Sequence, residues 1–150
     1  MTTEKLYPYT GLEQTCNKTS DQKFYLNDFR WLWLTEDQIA DSVAEKGPVA
    51  FSREIDQFQT FSVMKWPKYA QLMINATNVY DPMKFECVEA ISYHAITIVG
   101  FGETDRGVPY WLVKNSWGKS FADGGYFKLR RGKNVCEMAQ WVYGVTVKKN

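Results

Sequence analysis

The sequence has no long run of apolar residues. A helix needs roughly 20 consecutive apolar residues to cross a bilayer, and none of the apolar runs in this 150-residue chain approaches that length. The start of the chain, Met1 to Leu6, also lacks the apolar core that secretory signals require. We therefore expect no membrane partner, and these residues carry no recognisable export signal.

An excess of charge of either sign is missing as well. Eighteen basic residues face seventeen acidic ones, which leaves a formal net charge of +1. This balance argues against nucleic acid as a partner. The chain also has no internal repeat, low-complexity tract or linker rich in Pro, Gly or Ser. With 45% hydrophobic residues, one compact domain is the expected organisation.

Cysteine is scarce, at three residues, and the count is odd. If disulfides form, one thiol is left over or has its partner outside these residues. Two tripeptides, beginning at Asn17 and Asn75, match the acceptor pattern for N-linked glycans, which matters only on the secretory route. Three reduced thiols in a cytosolic protein remain the alternative at this point.

One amphipathic helix is predicted from Thr35 to Lys46. Ile39, Val43 and Ala44 recur near helical spacing, and Thr35 with Gln38 fits a capping box. The following Gly47-Pro48 stops the helix. Val49 to Ser52 then has the composition of a short strand.

The second half of the chain predicts a sheet. Its β-prone runs are separated by turn-forming Gly, Asp and Asn: Ala95 to Gly102, Pro109 to Asn115, Gly125 to Arg131 and Trp141 to Val147. Several short strands at close spacing indicate an antiparallel sheet or barrel. Between helix and sheet, Trp66 to Glu89 shows no steady period and is expected to be irregular.

The residues that could carry chemistry cluster around the sole histidine, His94. It begins the most apolar of these strands, while Asn115 ends the next one and is followed by Trp117. Taken singly, a histidine on a strand is more often structural than catalytic, and an asparagine at a strand end is usually a turn former. The combination changes this reading.

The segments Ser92 to Gly102, Tyr110 to Gly118 and Asp123 to Gly132 together resemble the papain and cathepsin family of cysteine peptidases. Upstream, Tyr7 to Gly11 and Gly47 to Ala50 are similar at lower specificity. By resemblance, His94 is the base that takes a thiol proton, Asn115 orients its ring, and Trp117 shields their contact from water. An imidazolium beside the sulfur would lower the pKa of the thiol.

No cysteine fits the position of the nucleophile. The family pattern is Cys-Gly-(Ser or Ala)-Cys before an aromatic residue, with the histidine about 130–150 residues downstream. Cys16 and Cys87 lie too close before His94, and Cys136 follows both catalytic partners. The glutamine that helps to stabilise the oxyanion in the family is not found either. We therefore expect the chain alone to show no peptidase activity.

The resemblance also implies roles for the cysteines and for a substrate pocket. Cys87 and Cys136 correspond to a disulfide pair, and Cys16 to a partner of a cysteine in an absent helical lobe. Four residues fall near positions that in the family line the pocket for the second residue before the cleaved bond: Ser52, Ser92, Ala95 and Trp141. Trp141 would make that pocket small or close it, and ordinary core packing is its alternative role.

The expected architecture is α+β and mainly β: a papain-like right-hand lobe with an antiparallel barrel-like sheet and one helix on its N-terminal side. Residues 1–34 would form the segment leaving the helical lobe and residues 35–150 the barrel lobe. The helical left lobe itself would be absent from this sequence. No cofactor and no metal are implied.

The leading functional hypothesis is a cysteine-type peptidase represented by the half that carries histidine and asparagine. A non-catalytic binding module or pseudoenzyme that keeps the cleft wall is the alternative. The expected partners are peptide or protein substrates and cysteine-peptidase inhibitors. The family suggests a lysosomal or extracellular location.

Overall fold

The computed structural model describes residues 25–32, 34–54, 79–82 and 93–147, together with residues 8, 10, 12, 13 and 15. It contains one helix, one 3₁₀ segment and seven strands within these ranges. In chain order these elements are β1 (Leu26–Leu32), α1 (Glu36–Lys46), β2 (Val49–Glu54), β3 (Val79–Tyr80), β4 (Tyr93–Glu103), β5 (Pro109–Lys114), β6 (Tyr126–Arg130), the 3₁₀ segment Val135–Gln140 and β7 (Val142–Val147). None of the described helices is long and apolar enough to cross a membrane.

The seven strands form a single sheet in the order β1-β7-β2-β4-β5-β6-β3. The mainly β class is thus confirmed, and so are the strands predicted from Val49, Ala95, Pro109, Gly125 and Trp141, each within two residues at its start. The sheet is not closed into a barrel among the described residues, because β1 and β3 stand at its two ends. One pair, β3 with β6, is parallel rather than antiparallel.

Helix α1 begins as the sequence predicts. The Thr35 side chain accepts from the Gln38 backbone N–H, and the Gln38 side chain accepts from the Thr35 N–H, which completes the capping box. Ile39, Ala40 and Val43 are buried against the sheet. The prediction that Ala44 shares this face is wrong. Ala44 is exposed, because the third buried residue of the helix is Ala40.

The two faces of the sheet differ in what they carry. One face packs with α1 into the core, where Phe51, Ile98, Trp111, Val113 and Val142 are buried. Side chains alternate between faces along a strand, so the register neighbours Ala50 and Tyr143 lie on the opposite face. We call this opposite side of β1, β7, β2 and β4 the outer face.

Two elements were not anticipated from the sequence. Strand β1 pairs with β7 over Leu26–Leu32, which lies inside the segment 1–34 assigned to the exit from the other lobe. Strand β3 falls inside the stretch expected to be irregular, most of which lies outside the described residues. The boundary at residue 35 stays a prediction.

The carboxylate of Glu36 joins the start of α1 to the sheet. Its Oε1 accepts from the indole N–H of Trp111 at 2.9 Å, and its Oε2 accepts from the backbone N–H groups of Gly132 at 3.0 Å and Asn134 at 2.7 Å. Trp111 is fully buried. One side chain therefore satisfies three donors from β5 and from the turn after β6.

Replacing this carboxylate tests how the helix is fixed. We expect Glu36→Ala to lower the free energy of unfolding by about 2–4 kcal/mol, since it leaves a buried indole donor without an acceptor. Asp37→Ala is the matched control, because Asp37 is an exposed acid in the same helical turn and should cost only about 0.3–1 kcal/mol. Urea unfolding of both variants gives the comparison. Equal losses would contradict the proposed anchoring.

Candidate active site

His94 and Asn115 are brought together by the antiparallel pairing of β4 and β5. His94 is the second residue of β4, Asn115 directly follows β5, and Thr97 pairs with Lys114 between them. The Nε2 atom of His94 lies 2.9 Å from the Oδ1 atom of Asn115. Asn115 is buried, with 6% of its surface exposed. Two residues 21 positions apart in sequence are thus in hydrogen-bond contact.

The hydrogen bonds of Asn115 determine which ring nitrogen of His94 carries the proton. Oδ1 also lies 2.8 Å from the backbone N–H of Ser116, which can only donate. The oxygen is therefore the acceptor on that side of the amide, and His94 must donate to it through Nε2–H. In the neutral ring Nδ1 is then the unprotonated nitrogen. No described residue forms a hydrogen bond with Nδ1.

The indole of Trp117 covers the His94 ring. The two ring centroids lie 5.0 Å apart at an interplanar angle of 29°. Trp117 also packs edge to face with Phe121, at a distance of 5.1 Å between ring centroids. Phe121 is buried and packs in turn on Phe127. Phe121 therefore holds the indole against the imidazole. The sequence did not single out Phe121, because a lone phenylalanine in a loop carries no motif.

A tight glycine turn supports the backbone of Asn115. The Asn115 backbone N–H donates to the Gly125 carbonyl at 2.9 Å. Gly125 has φ +96°, and a Cβ there would meet the Gly118 carbonyl oxygen at 3.1 Å. A side chain at this position would therefore be strained and crowded at once. The neighbouring Gly124 also has a positive φ, of +61°, but open space around it.

One donor of the site has no partner among the residues that the structure describes. The Asn115 Nδ2 atom is buried and makes no hydrogen bond with any of them. Asn115 lines a surface cavity of about 430 Å³ together with Ala95, Thr97, Lys114 and Lys119. A buried donor without an acceptor costs about 1–3 kcal/mol.

Three of the four expected pocket residues lie side by side on the outer face. Ser52 pairs with Ala95 across β2 and β4, and the Ser52 N–H donates to the Trp141 carbonyl at 3.1 Å. Trp141 is 39% exposed, so it does not belong to the core. Ser92, the fourth residue, lies outside the described residues.

Of the cysteines, only Cys136 lies within the described ranges, and it is disulfide-bonded. Cys16 and Cys87 lie outside them, as do Asn17 and Asn75, so the pairing with Cys87 and the use of the glycan sites stay predictions. Within the part of the chain that is described, no group of His, Cys, Asp and Glu is placed to hold a metal ion.

A methyl group on the glycine turn tests the support of Asn115. We expect Gly125→Ala to destabilise the fold by about 2–3 kcal/mol, because the added Cβ is strained and contacts the Gly118 carbonyl. Gly124→Ala is the control and should cost about 1 kcal/mol, the price of a left-handed alanine alone. Thermal unfolding of both variants measures the difference. A Gly125 variant no less stable than the Gly124 variant would contradict this role.

Comparison with known proteins gives a consistent result. The family model described as papain family cysteine protease matches residues 1–146. The chain is 37% identical over 139 residues to thiol protease aleurain of Arabidopsis thaliana, covering 91% of this chain and 35% of that protein. It is 31% identical over 138 residues to pro-cathepsin H of Bos taurus, covering 91% of this chain and 37% of that protein.

The fold shows the same likeness. A digestive procathepsin L 3 from the larval midgut of Tenebrio molitor matches with a TM-score of 0.67 at 25% identity, over 95% of this chain and 43% of that one. Procathepsin L2 from the same source matches with a TM-score of 0.64 at 30% identity, over 95% and 41%. The chain thus spans a little over a third of the length of the curated relatives it matches. With the family model matching nearly all of its residues, the chain belongs to the papain family of cysteine proteases.

Proposed function

We propose that this chain supplies the histidine and asparagine wall of a papain-type active site that cleaves peptide bonds. The observation that carries the proposal is the 2.9 Å contact between His94 Nε2 and Asn115 Oδ1 under the Trp117 indole. It leaves Nδ1 as the nitrogen able to accept a proton. In this proposal His94 is the base, Asn115 orients its ring, and Trp117 protects their hydrogen bond from water.

The chemistry follows from that arrangement. Nδ1 takes the proton of a cysteine thiol, and the resulting thiolate attacks the carbonyl carbon of the peptide bond. The imidazolium then gives its proton to the departing amine, which leaves an acyl-enzyme. A water molecule, deprotonated by the same nitrogen, hydrolyses the thioester and restores the thiol. Asn115 keeps the ring in the useful tautomer throughout.

The thiol must come from a second, helical lobe, because no cysteine among these 150 residues stands in the family's nucleophile motif. The cavity beside Asn115 supports such a partner surface. Its lining includes two exposed lysines, Lys114 and Lys119. An apposed lobe that offers negative charge would complement them. By itself, the chain is proposed to be inactive.

The remaining parts of the proposal follow the family. Substrates are peptides or proteins, and cysteine-peptidase inhibitors would occupy the same wall. Ser52, Ala95 and Trp141, which adjoin in the sheet, together with Ser92, would line the pocket for the second residue before the cleaved bond. A lysosomal or extracellular location agrees with a disulfide-bonded Cys136.

Joining this chain to the helical lobe of a papain-family relative that carries the nucleophilic cysteine tests the proposal. The two-lobed protein should cleave a fluorogenic peptide, while the chain alone should not. His94→Ala should reduce kcat/KM by about a thousandfold or more. Asn115→Ala should reduce it by about 10–100-fold, the range typical of a residue that orients another.

Asp105→Ala is the control for that experiment, because Asp105 is exposed in the turn at the far end of β4 and β5. It should leave kcat/KM unchanged. Cleavage that survives His94→Ala would contradict the catalytic role. A well-folded two-lobed protein that binds peptides without cleaving them would favour the non-catalytic binding module instead.

A further inference from the structure

The outer face of the sheet continues from β4 across β5 and β6, and it becomes basic there. Thr97 on β4 pairs with Lys114 on β5, and Lys114 pairs with Tyr126 on β6. From Tyr126, the side chains at two-residue intervals along β6 lie on the same side of the sheet. These are Lys128 and Arg130, both partly exposed. The two cations are therefore neighbours on one face.

Tyr110 fixes this pair of cations. The Lys128 Nζ atom lies 4.8 Å from the centre of the Tyr110 ring, which is a cation–π distance. Arg130 pairs directly with Tyr110 across β5 and β6. The ring itself lies over Gly102, where an added Cβ would meet the Tyr110 hydroxyl oxygen at 2.9 Å. We call Tyr110, Lys128 and Arg130 the basic patch.

Neighbouring carboxylates do not neutralise the patch. In the part of the chain that the structure describes, neither Lys128 nor Arg130 forms an ion pair, whereas Lys133 is paired with Asp81. Strand β4 presents glycines to this side, because Gly100 and Gly102 are the residues that pair with β5 next to the patch. Glycine supplies no counter-charge, so the positive charge of the patch stays uncompensated there.

The exposed acidic residues of α1 lie on the other side of the sheet. Asp37, Asp41 and Glu45 recur at intervals of four residues and are all exposed, on the helix that packs against the core face. The net charge of +1 therefore conceals a separation of charge across the sheet. A local excess of positive charge attracts anions even where the overall charge is close to zero.

The spacing of the two cations suits an extended peptide with acidic side chains. Lys128 and Arg130 are two residues apart on a strand, which corresponds to about 6.6–6.8 Å. At this distance two like charges repel each other, and an anionic partner would offset the repulsion. Because an extended peptide has the same two-residue repeat, its carboxylates at alternate positions can face both cations. A peptide partner also agrees with a family of proteases.

We propose that the basic patch binds acidic segments of peptides and proteins, at a site separate from the candidate active site. The inference rests on the proposed function only for the role of this site, which is to retain substrates or inhibitors that carry such a segment. Lys114, which lines the cavity beside Asn115, is the next cation on the same face and extends the positive charge towards the active site.

Peptide binding to the 150-residue chain tests the inference without any need for cleavage. The probes are Gly-Glu-Gly-Glu-Gly-Glu-Gly and its uncharged counterpart Gly-Gln-Gly-Gln-Gly-Gln-Gly, both labelled with fluorescein at the N-terminus and followed by anisotropy at low ionic strength. We expect the glutamate peptide to bind at least about tenfold more tightly, since two exposed charge pairs each contribute about 3–5-fold. Physiological ionic strength should reduce this preference, because salt screens exposed charges.

Two substitutions locate the binding site. Lys128→Gln and, independently, Arg130→Gln should each reduce the preference for the glutamate peptide by about 3–5-fold. Lys46→Gln is the matched control, because Lys46 is an exposed lysine in the last turn of α1 and its loss changes the net charge equally. It should alter the preference by less than about 1.5-fold. The two patch variants are separate tests, so a folding defect in one leaves the other decisive.

Several results would overturn the inference. They are equal binding of the two peptides, no binding of either, and a preference that Lys46→Gln reduces as much as the patch variants do. Displacement of the labelled glutamate peptide by a single-stranded oligonucleotide of equal charge, at a lower concentration than by the unlabelled peptide, would overturn the assignment to an acidic peptide.

Activity of the two-lobed protein separates this inference from the proposed function. Cleavage by a protein that binds the two peptides equally would overturn the inference and leave the proposed function intact. Charge-selective binding without any cleavage would uphold the basic patch and count against the catalytic proposal.

Discussion

Strands β4 and β5 run antiparallel, so the start of one and the end of the other must lie at the same edge of the sheet. His94 and Asn115 occupy those two places, and their side chains meet at 2.9 Å. Every other feature of the site is arranged around this contact. Trp117 covers it, and the Gly125 carbonyl accepts the backbone N–H of Asn115.

The same strand pair is tied to the rest of the domain through its buried face. Val113 and Trp111 lie two and four residues before Asn115, and both are fully buried. The indole of Trp111 is fixed by the Glu36 carboxylate at the start of α1. The geometry of the site thus depends on a rigid strand, which suits a hydrogen bond that must orient an imidazole to within a few tenths of an ångström.

Much of this was accessible from sequence because the signals were local. The capping box of α1 and the β-prone runs of β4 and β5 each lie within about a dozen residues, and the His94 and Asn115 motifs are equally compact. The stacked row of Phe29, Trp31, Trp141 and Tyr143 was not accessible, because it depends on β1 pairing with β7, more than a hundred residues away. Neither the sequence around Trp31 nor that around Trp141 indicates that β1 and β7 pair in this register.

The tautomer of His94 is the property from which the account of catalysis follows. Because the chain has a single histidine, ¹⁵N-edited NMR of its imidazole gives one unambiguous set of ring signals. At a pH where the ring is neutral, we predict a protonated Nε2 and an unprotonated Nδ1. In Asn115→Ala, which removes the acceptor of the Nε2–H hydrogen bond, we expect the signal of the Nε2 proton to be lost. A ring protonated at Nδ1 in the unsubstituted protein would contradict the assignment of Asn115 as its orienting partner.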